Sequence, residues 1–114
     1  MSLSITFVGH STVLLSLGET HILTDPLFVE RIMVVRRKLP AGLSPEELPP
    51  LAAITISHAH TDHMNMPSLK KLPRETRVIL PENCAPFLHA KGFKSTTTLT
   101  QWEETEVGAV RVTS

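Results

Sequence analysis

The sequence has a single cysteine, Cys84, which excludes an intramolecular disulfide. It also lacks an excess charge of either sign, since 11 Lys and Arg offset 11 Asp and Glu for a formal net charge of 0. That excludes a nucleic-acid binder held by bulk charge and, equally, an acidic disordered tail. No apolar run approaches the roughly 20 residues that cross a bilayer, so no transmembrane segment is expected. The opening Met1-Ser2-Leu3-Ser4 has neither a basic n-region nor an apolar h-region. With the lone thiol, this makes a reducing cytoplasm the expected location. Aromatics are few, with four Phe, one Trp and no Tyr, whereas the nine Pro are above average and punctuate the chain in clusters.

What is present is the composition of one ordinary globular domain, 114 residues with 41% hydrophobic side chains. At this length folding buries roughly two-thirds of the surface of the unfolded chain, enough for a core without much reserve. Residues 3–8 and 12–17 alternate with period two and read as strands. Gly18-Glu19 fits a hairpin turn before a returning strand at Thr20 to Leu23. From Asp25 to Pro50 periodicity is lost in a long loop. Within it Ser44-Pro45-Glu46-Glu47 forms a capping box for a helical turn or two. Leu51 to Ile56 reads as a strand buried on both faces, and Arg77 to Leu80 as another. Short helices are expected at Pro67 to Leu72 and at Asn83 to Lys91, the second with Asn83 as N-cap and Gly92 just past its end. Strands at Thr96 to Leu99 and Thr105 to Thr113, the latter broken at Gly108, complete an α/β domain.

The chemistry is concentrated in one place. Three of the six His and one of the two Asp fall within Ser57-His58-Ala59-His60-Thr61-Asp62-His63, directly after the buried strand. On extended backbone His58 and His60 project from the same side and can converge on one ion, while the adjacent Asp62 and His63 must point differently as the chain turns. That spacing suits two neighbouring metal positions better than one. Imidazole and carboxylate are ligands for zinc, or for manganese or iron. Two such ions would lower the pKa of water enough to supply a nucleophile at neutral pH. The competing reading is a solvated His-rich turn or a His-Asp hydrogen-bond network at a strand end.

The motif His58-Ala59-His60-Thr61-Asp62-His63 is the HxHxDH signature of the metallo-β-lactamase superfamily. Phe7-Val8-Gly9-His10-Ser11-Thr12-Val13-Leu14-Leu15, Ile22-Leu23-Thr24-Asp25-Pro26-Leu27-Phe28 and Leu48-Pro49-Pro50-Leu51 resemble one branch of it. That branch contains N-acyl-phosphatidylethanolamine-hydrolysing phospholipase D and the ascorbate-6-phosphate lactonase-like proteins. The resemblance runs down to Gln101-Trp102-Glu103-Glu104. It implies the N-terminal half of a four-layer αββα sandwich, filling residues 1–114, with a dinuclear site at the sheet edges. His58 and His60 would hold the first metal and Asp62 and His63 the second, Asp62 also orienting the nucleophile as a catalytic residue. The cofactors implied are two divalent ions, zinc first, with manganese or iron as alternatives. The substrate would be a small phosphodiester, a phospholipid or a lactone.

Family members add a His, a bridging Asp and a final His from later motifs, and no His follows His89 and no Asp follows Asp62 here. These residues alone are therefore expected to be inactive, and the alternative is a non-catalytic fragment or interaction module that keeps only the half-fold. An apolar sheet face and unpaired edge at Val110 to Val112 would favour self-association.

Asp25 matches the family's first-motif Asp, which buttresses the metal loop by hydrogen bonding, and its plainer reading is an Asx-turn before Pro26. His10 would sit at the site mouth, or be a turn residue. Arg31, Arg36, Arg37 and Lys38 place positive charge before the metal strand. Arg36, Arg37 and Lys38 are candidates to meet an anionic group, against the plainer reading of a solvated loop. Trp102 is expected to anchor the last strands to the core, with a substrate-facing role as the alternative. Cys84 reads as a structural thiol, and His21 and His89 as surface residues.

Overall fold

The computed structural model describes residues 2–32 and 34–114, so Met1 of the opening tetrapeptide and Met33 of the long loop lie outside it. Alternating apolar side chains form strands β1 (Leu3–Gly9), β2 (Thr12–Leu17) and β3 (Thr20–Thr24), an antiparallel meander closed by Gly18 at φ 59°. The loop that follows contains a two-residue pairing of β4 (Arg31–Ile32) with β5 (Val35–Arg36) and a 3-10 turn at Pro45–Glu47. Glu47 caps that turn by accepting from the Ser44 amide at 2.9 Å. Next come β6 (Ala53–Thr55), α1 (Met66–Leu69), β7 (Val78–Pro81), α2 (Ala85–His89), β8 (Thr96–Leu99), β9 (Glu104–Val107) and β10 (Val110–Thr113).

Six strands make one sheet in the order β1-β2-β3-β6-β7-β8, with β3, β6, β7 and β8 mutually parallel. Parallel strands need crossovers, and α1 and α2 lie in them. Alternation along the strands divides the core between the two faces. Leu14, Leu23, Ile54, Val78 and Leu80 face Leu69, Leu72, Leu88 and Phe93 on the helical side. Ile22, Ala53, Ile79 and Leu99 face Val107 of the β9–β10 hairpin on the other. Arg77 straps the hairpin down, donating to Thr97 Oγ1 at 2.9 Å, Thr105 Oγ1 at 2.7 Å and the Glu106 carbonyl at 2.8 Å. The mixed α/β class matches the sequence reading, and so does the element order apart from the short β4–β5 pairing inside the segment expected to be loop; no described helix is long and apolar enough to cross a membrane.

Three expectations need correction. Helix α2 begins after a 3-10 turn at Glu82–Cys84, so Cys84, and not Asn83, is its N-cap. Trp102 does not anchor the core. Its side chain is 76% exposed at φ 69°, and only its amide ties the hairpin, donating to the Ser114 carbonyl at 2.9 Å. Val110 and Val112 pack partly against the Ile22 and Ile79 cluster, because the hairpin folds back over the sheet. The uncovered apolar stripe is instead Leu3, Ile5 and Phe7 on the edge strand β1, beyond the hairpin's reach.

Cys84 is buried and free, and burial pushes its thiol pKa up. Low thiolate content and poor access both slow alkylation. A thiol reagent at neutral pH is expected to label the native chain at least about tenfold more slowly than the urea-unfolded chain. Equal rates would mean that the α2 region is open in solution.

Candidate metal centre

Parallel packing of β3 and β6 brings their carboxyl ends to one edge of the sheet, where loops that carry chemistry collect. The Asp25 amide extends the ladder one step, donating to the Thr55 carbonyl at 2.8 Å. Buried Thr12 then fixes the turn, its hydroxyl donating to the Asp25 carbonyl at 2.8 Å and accepting from the Leu27 amide at 3.0 Å. Asp25 is held at φ 35°, a left-handed conformation that Asp tolerates better than most residues.

The buried Asp25 carboxylate organises the loop after β6. Oδ1 accepts from the Ser57 amide at 2.8 Å, and Oδ2 accepts from the Ser57 hydroxyl at 2.7 Å and lies 2.8 Å from His63 Nδ1. A carboxylate only accepts, so His63 carries its proton on Nδ1 and leaves the Nε2 lone pair free. Because the Ser57 hydroxyl is spent on Asp25, its 2.8 Å contact with His58 Nδ1 places the His58 proton there too, again freeing Nε2. The His63 and Met64 amides turn back to the His60 carbonyl at 2.9 and 2.8 Å. Asn65 closes the loop, donating to the Thr61 carbonyl and accepting from Ser68 at the start of α1.

Four imidazoles and two carboxylates meet at this edge. The His58 and His63 ring centroids are 4.0 Å apart, those of His58 and His60 4.6 Å, and those of His10 and His63 5.6 Å. His63 Nε2 lies 3.4 Å from Asp62 Oδ2, and His10 Nε2 lies 2.9 Å from the same oxygen. The hydrogen bond from His10 is the main cause that holds the Asp62 carboxyl below the usual carboxylate range. The donor set fits divalent ions. Two imidazoles have their protons turned away from the cluster, Asp62 is ionised, and Asp25 backs His63 as outer carboxylates back metal-bound histidines.

The structure thus gathers His58, His60, Asp62, His63, Asp25 and His10, while Arg36, Arg37 and Lys38 lie to one side. These three line a cavity of about 540 Å³ with Phe7, Leu27 and Leu39, and His10 stands at its edge. Arg37 is committed to the loop, donating to the Leu27 carbonyl at 2.7 Å, whereas Arg36 and Lys38 are exposed. Ser57 and Asn65 escaped the sequence reading. The signal for Asn65 was present, an Asn three residues before Ser68 with Pro67 between them, as N-caps prefer.

Residues 4–114 match a family described as the beta-lactamase superfamily domain. N-acyl-phosphatidylethanolamine-hydrolyzing phospholipase D 1 of Caenorhabditis elegans is 32% identical over 72 residues, 59% of this chain and 20% of its own length. Among solved structures, a possible metal-dependent hydrolase from Veillonella parvula superposes with a TM-score of 0.82 at 17% identity, covering 97% of this chain and 46% of that one. The diiron beta-hydroxylase CmlA from Streptomyces venezuelae superposes with a TM-score of 0.76 at 22% identity, covering 97% and 23%. The chain therefore spans about a fifth of that curated relative and less than half of either structure.

Proposed function

The chain belongs to the metallo-β-lactamase superfamily, and from that premise we propose that it supplies the metal centre of a metal-dependent hydrolase acting on a phosphodiester or lactone. His58 and His60 hold one divalent ion, and Asp62 and His63 a second, with zinc preferred over manganese or iron. The observation that carries this reading is the run from Ser57 and Asp25 through His63 Nδ1 to a free Nε2 facing Asp62. Ions bound there would supply Lewis acidity and a water acidic enough to act as a nucleophile near neutral pH.

The chain's own residues have separate tasks. Asp25 fixes the tautomer and rotation of His63, and Ser57 does the same for His58. Asp62, ionised and partly exposed, would orient an attacking water. Exposed Arg36 and Lys38 offer counter-charge to an anionic substrate in the adjoining cavity, as phosphate oxygens prefer. A cytoplasmic, reducing location belongs to the same reading, supported by the free Cys84.

Turnover of bis(p-nitrophenyl) phosphate and of a simple lactone, each with and without zinc or manganese, tests the reading and separates the substrate classes. In a longer protein that joins these residues to the His and Asp of the later family motifs, metal-dependent turnover of either, abolished in His58→Ala/His60→Ala, is expected, while residues 1–114 alone are expected to bind metal without turnover. Turnover that survives both chelation and that double variant would contradict it. The second reading, an interaction module, has one observation in its favour, the exposed Leu3, Ile5 and Phe7 on an edge strand. Self-association there would show as a rise in sedimentation coefficient with concentration, removed by Phe7→Lys.

A further inference from the structure

We propose that His10 is a further protein ligand at the position of Asp62 and His63, so that the β1–β2 turn adds an imidazole to the ligands that the metal loop supplies there. The inference rests on the metal-centre reading above and adds a residue to it.

Distances carry the first part of the argument. One nitrogen of His10, one oxygen of Asp62 and one nitrogen of His63 all lie within 4.8 Å of one another. Two edges of that triangle are 2.9 Å and 3.4 Å, from His10 Nε2 and from His63 Nε2 to Asp62 Oδ2. Four-coordinate zinc holds nitrogen and oxygen at about 2.0–2.1 Å, which sets neighbouring ligand atoms roughly 3.3–3.4 Å apart. Loading the site therefore asks His10 and Asp62 to part by a few tenths of an ångström and His10 to carry its proton on Nδ1, leaving the Nε2 lone pair for the ion. Two neutral imidazoles and one carboxylate are also a set that zinc accepts, with a fourth position left open.

The backbone carries the second part. His10 has φ 57°, a conformation few residues other than glycine adopt. The strand register shifts between Phe7 and Gly9, and Gly9 itself has φ 137°. A Cβ at Gly9 would collide with the Arg37 guanidinium, which is pinned by its bond to Leu27. The irregular β1 end, the glycine and the arginine together over-determine the turn, and its outcome is a histidine ring delivered to Asp62. Strain of this kind persists where the aimed side chain has a task.

The test isolates this position. In the His58→Ala/His60→Ala background, cobalt(II) or zinc is titrated and the bound ion's shell is read by X-ray absorption, with and without His10→Asn. Asparagine tolerates the left-handed backbone, so the turn survives while the ring is lost, and near-native circular dichroism checks this. The expected result is two imidazoles per ion, falling to one in the His10→Asn chain. Affinity should fall by more than the roughly 10–100-fold typical of an outer partner. An unchanged imidazole count, with an affinity loss inside that window or none, would overturn the proposal and leave His10 as a hydrogen-bonding support for Asp62. Absence of metal from the unsubstituted chain would overturn the metal-centre reading as well, which tells the two failures apart.

Discussion

Asp25→Ala is expected to weaken zinc binding by about 10–100-fold, the usual effect of removing an outer carboxylate behind a metal-bound histidine. The same substitution should destabilise the fold, because the carboxylate satisfies the Ser57 amide, the Ser57 hydroxyl and His63 Nδ1 in a buried setting. Stranding buried donors costs about 1–3 kcal/mol each at most, and the left-handed backbone at Asp25 suits alanine poorly, so a net loss of about 3 kcal/mol is reasonable. For a domain of this size that lowers Tm by roughly 10–20 °C. Asp25→Asn separates the effects. Asparagine fits the backbone and the volume, so most stability should return, yet an amide does not fix the His63 tautomer as a carboxylate does, and the affinity deficit should remain. Titration calorimetry and thermal melts on the two variants check this. A stable Asp25→Ala chain with unaltered zinc affinity would mean that Asp25 is only a turn residue.

Phe93→Ala should produce the largest loss of stability. Phe93 is fully buried between the sheet and the helices, with the Arg74 guanidinium 5.0 Å from its ring centroid. Phe→Ala in a core typically costs about 3–5 kcal/mol, a large share of the roughly 5–15 kcal/mol that holds a domain together. Phe87→Ala, six residues away on the solvent side of α2, is the control and should cost under about 1 kcal/mol, since its ring is 59% exposed. Urea titrations of both variants measure the contrast. Equal effects would contradict the packing described above.

That contrast marks where the sequence was legible. Period-two alternation marks β1 and β2, and continuous apolar runs mark β6 and β7, because a strand packed on both faces shows apolar side chains at neighbouring positions. Ile22 with Leu23, Ala53 with Ile54 and Val78 with Ile79 each divide between the two core clusters. Density of ligand types marks the candidate metal loop, since His58, His60, Asp62 and His63 fall within six residues.

The failures share a cause, which is that they depend on contacts distant in sequence. Trp102 looked like an anchor by residue type, but the Trp102-to-Ser114 backbone bond does the tying and leaves the ring outside. The apolar faces of Val110 and Val112 are partly covered because the hairpin folds back over the sheet, which the sequence does not show, while the edge of β10 away from β9 pairs with no described strand. The reach of His10 to Asp62, across 52 positions, needed the Gly9 conformation and the Arg37 contact, neither of which is local in sequence. Ser57 has no distinguishing pattern in the sequence, a serine before a histidine, and its role depends on the distant Asp25 beneath it.

The central claim is that these residues form a preorganised centre for divalent metal. Elemental analysis combined with a zinc titration of the purified chain, beside His58→Ala/His60→Ala, tests it most directly. The account predicts stoichiometric zinc in the unsubstituted chain, with at least one equivalent lost in the double variant. No zinc in either protein, or the same zinc in both, would contradict it.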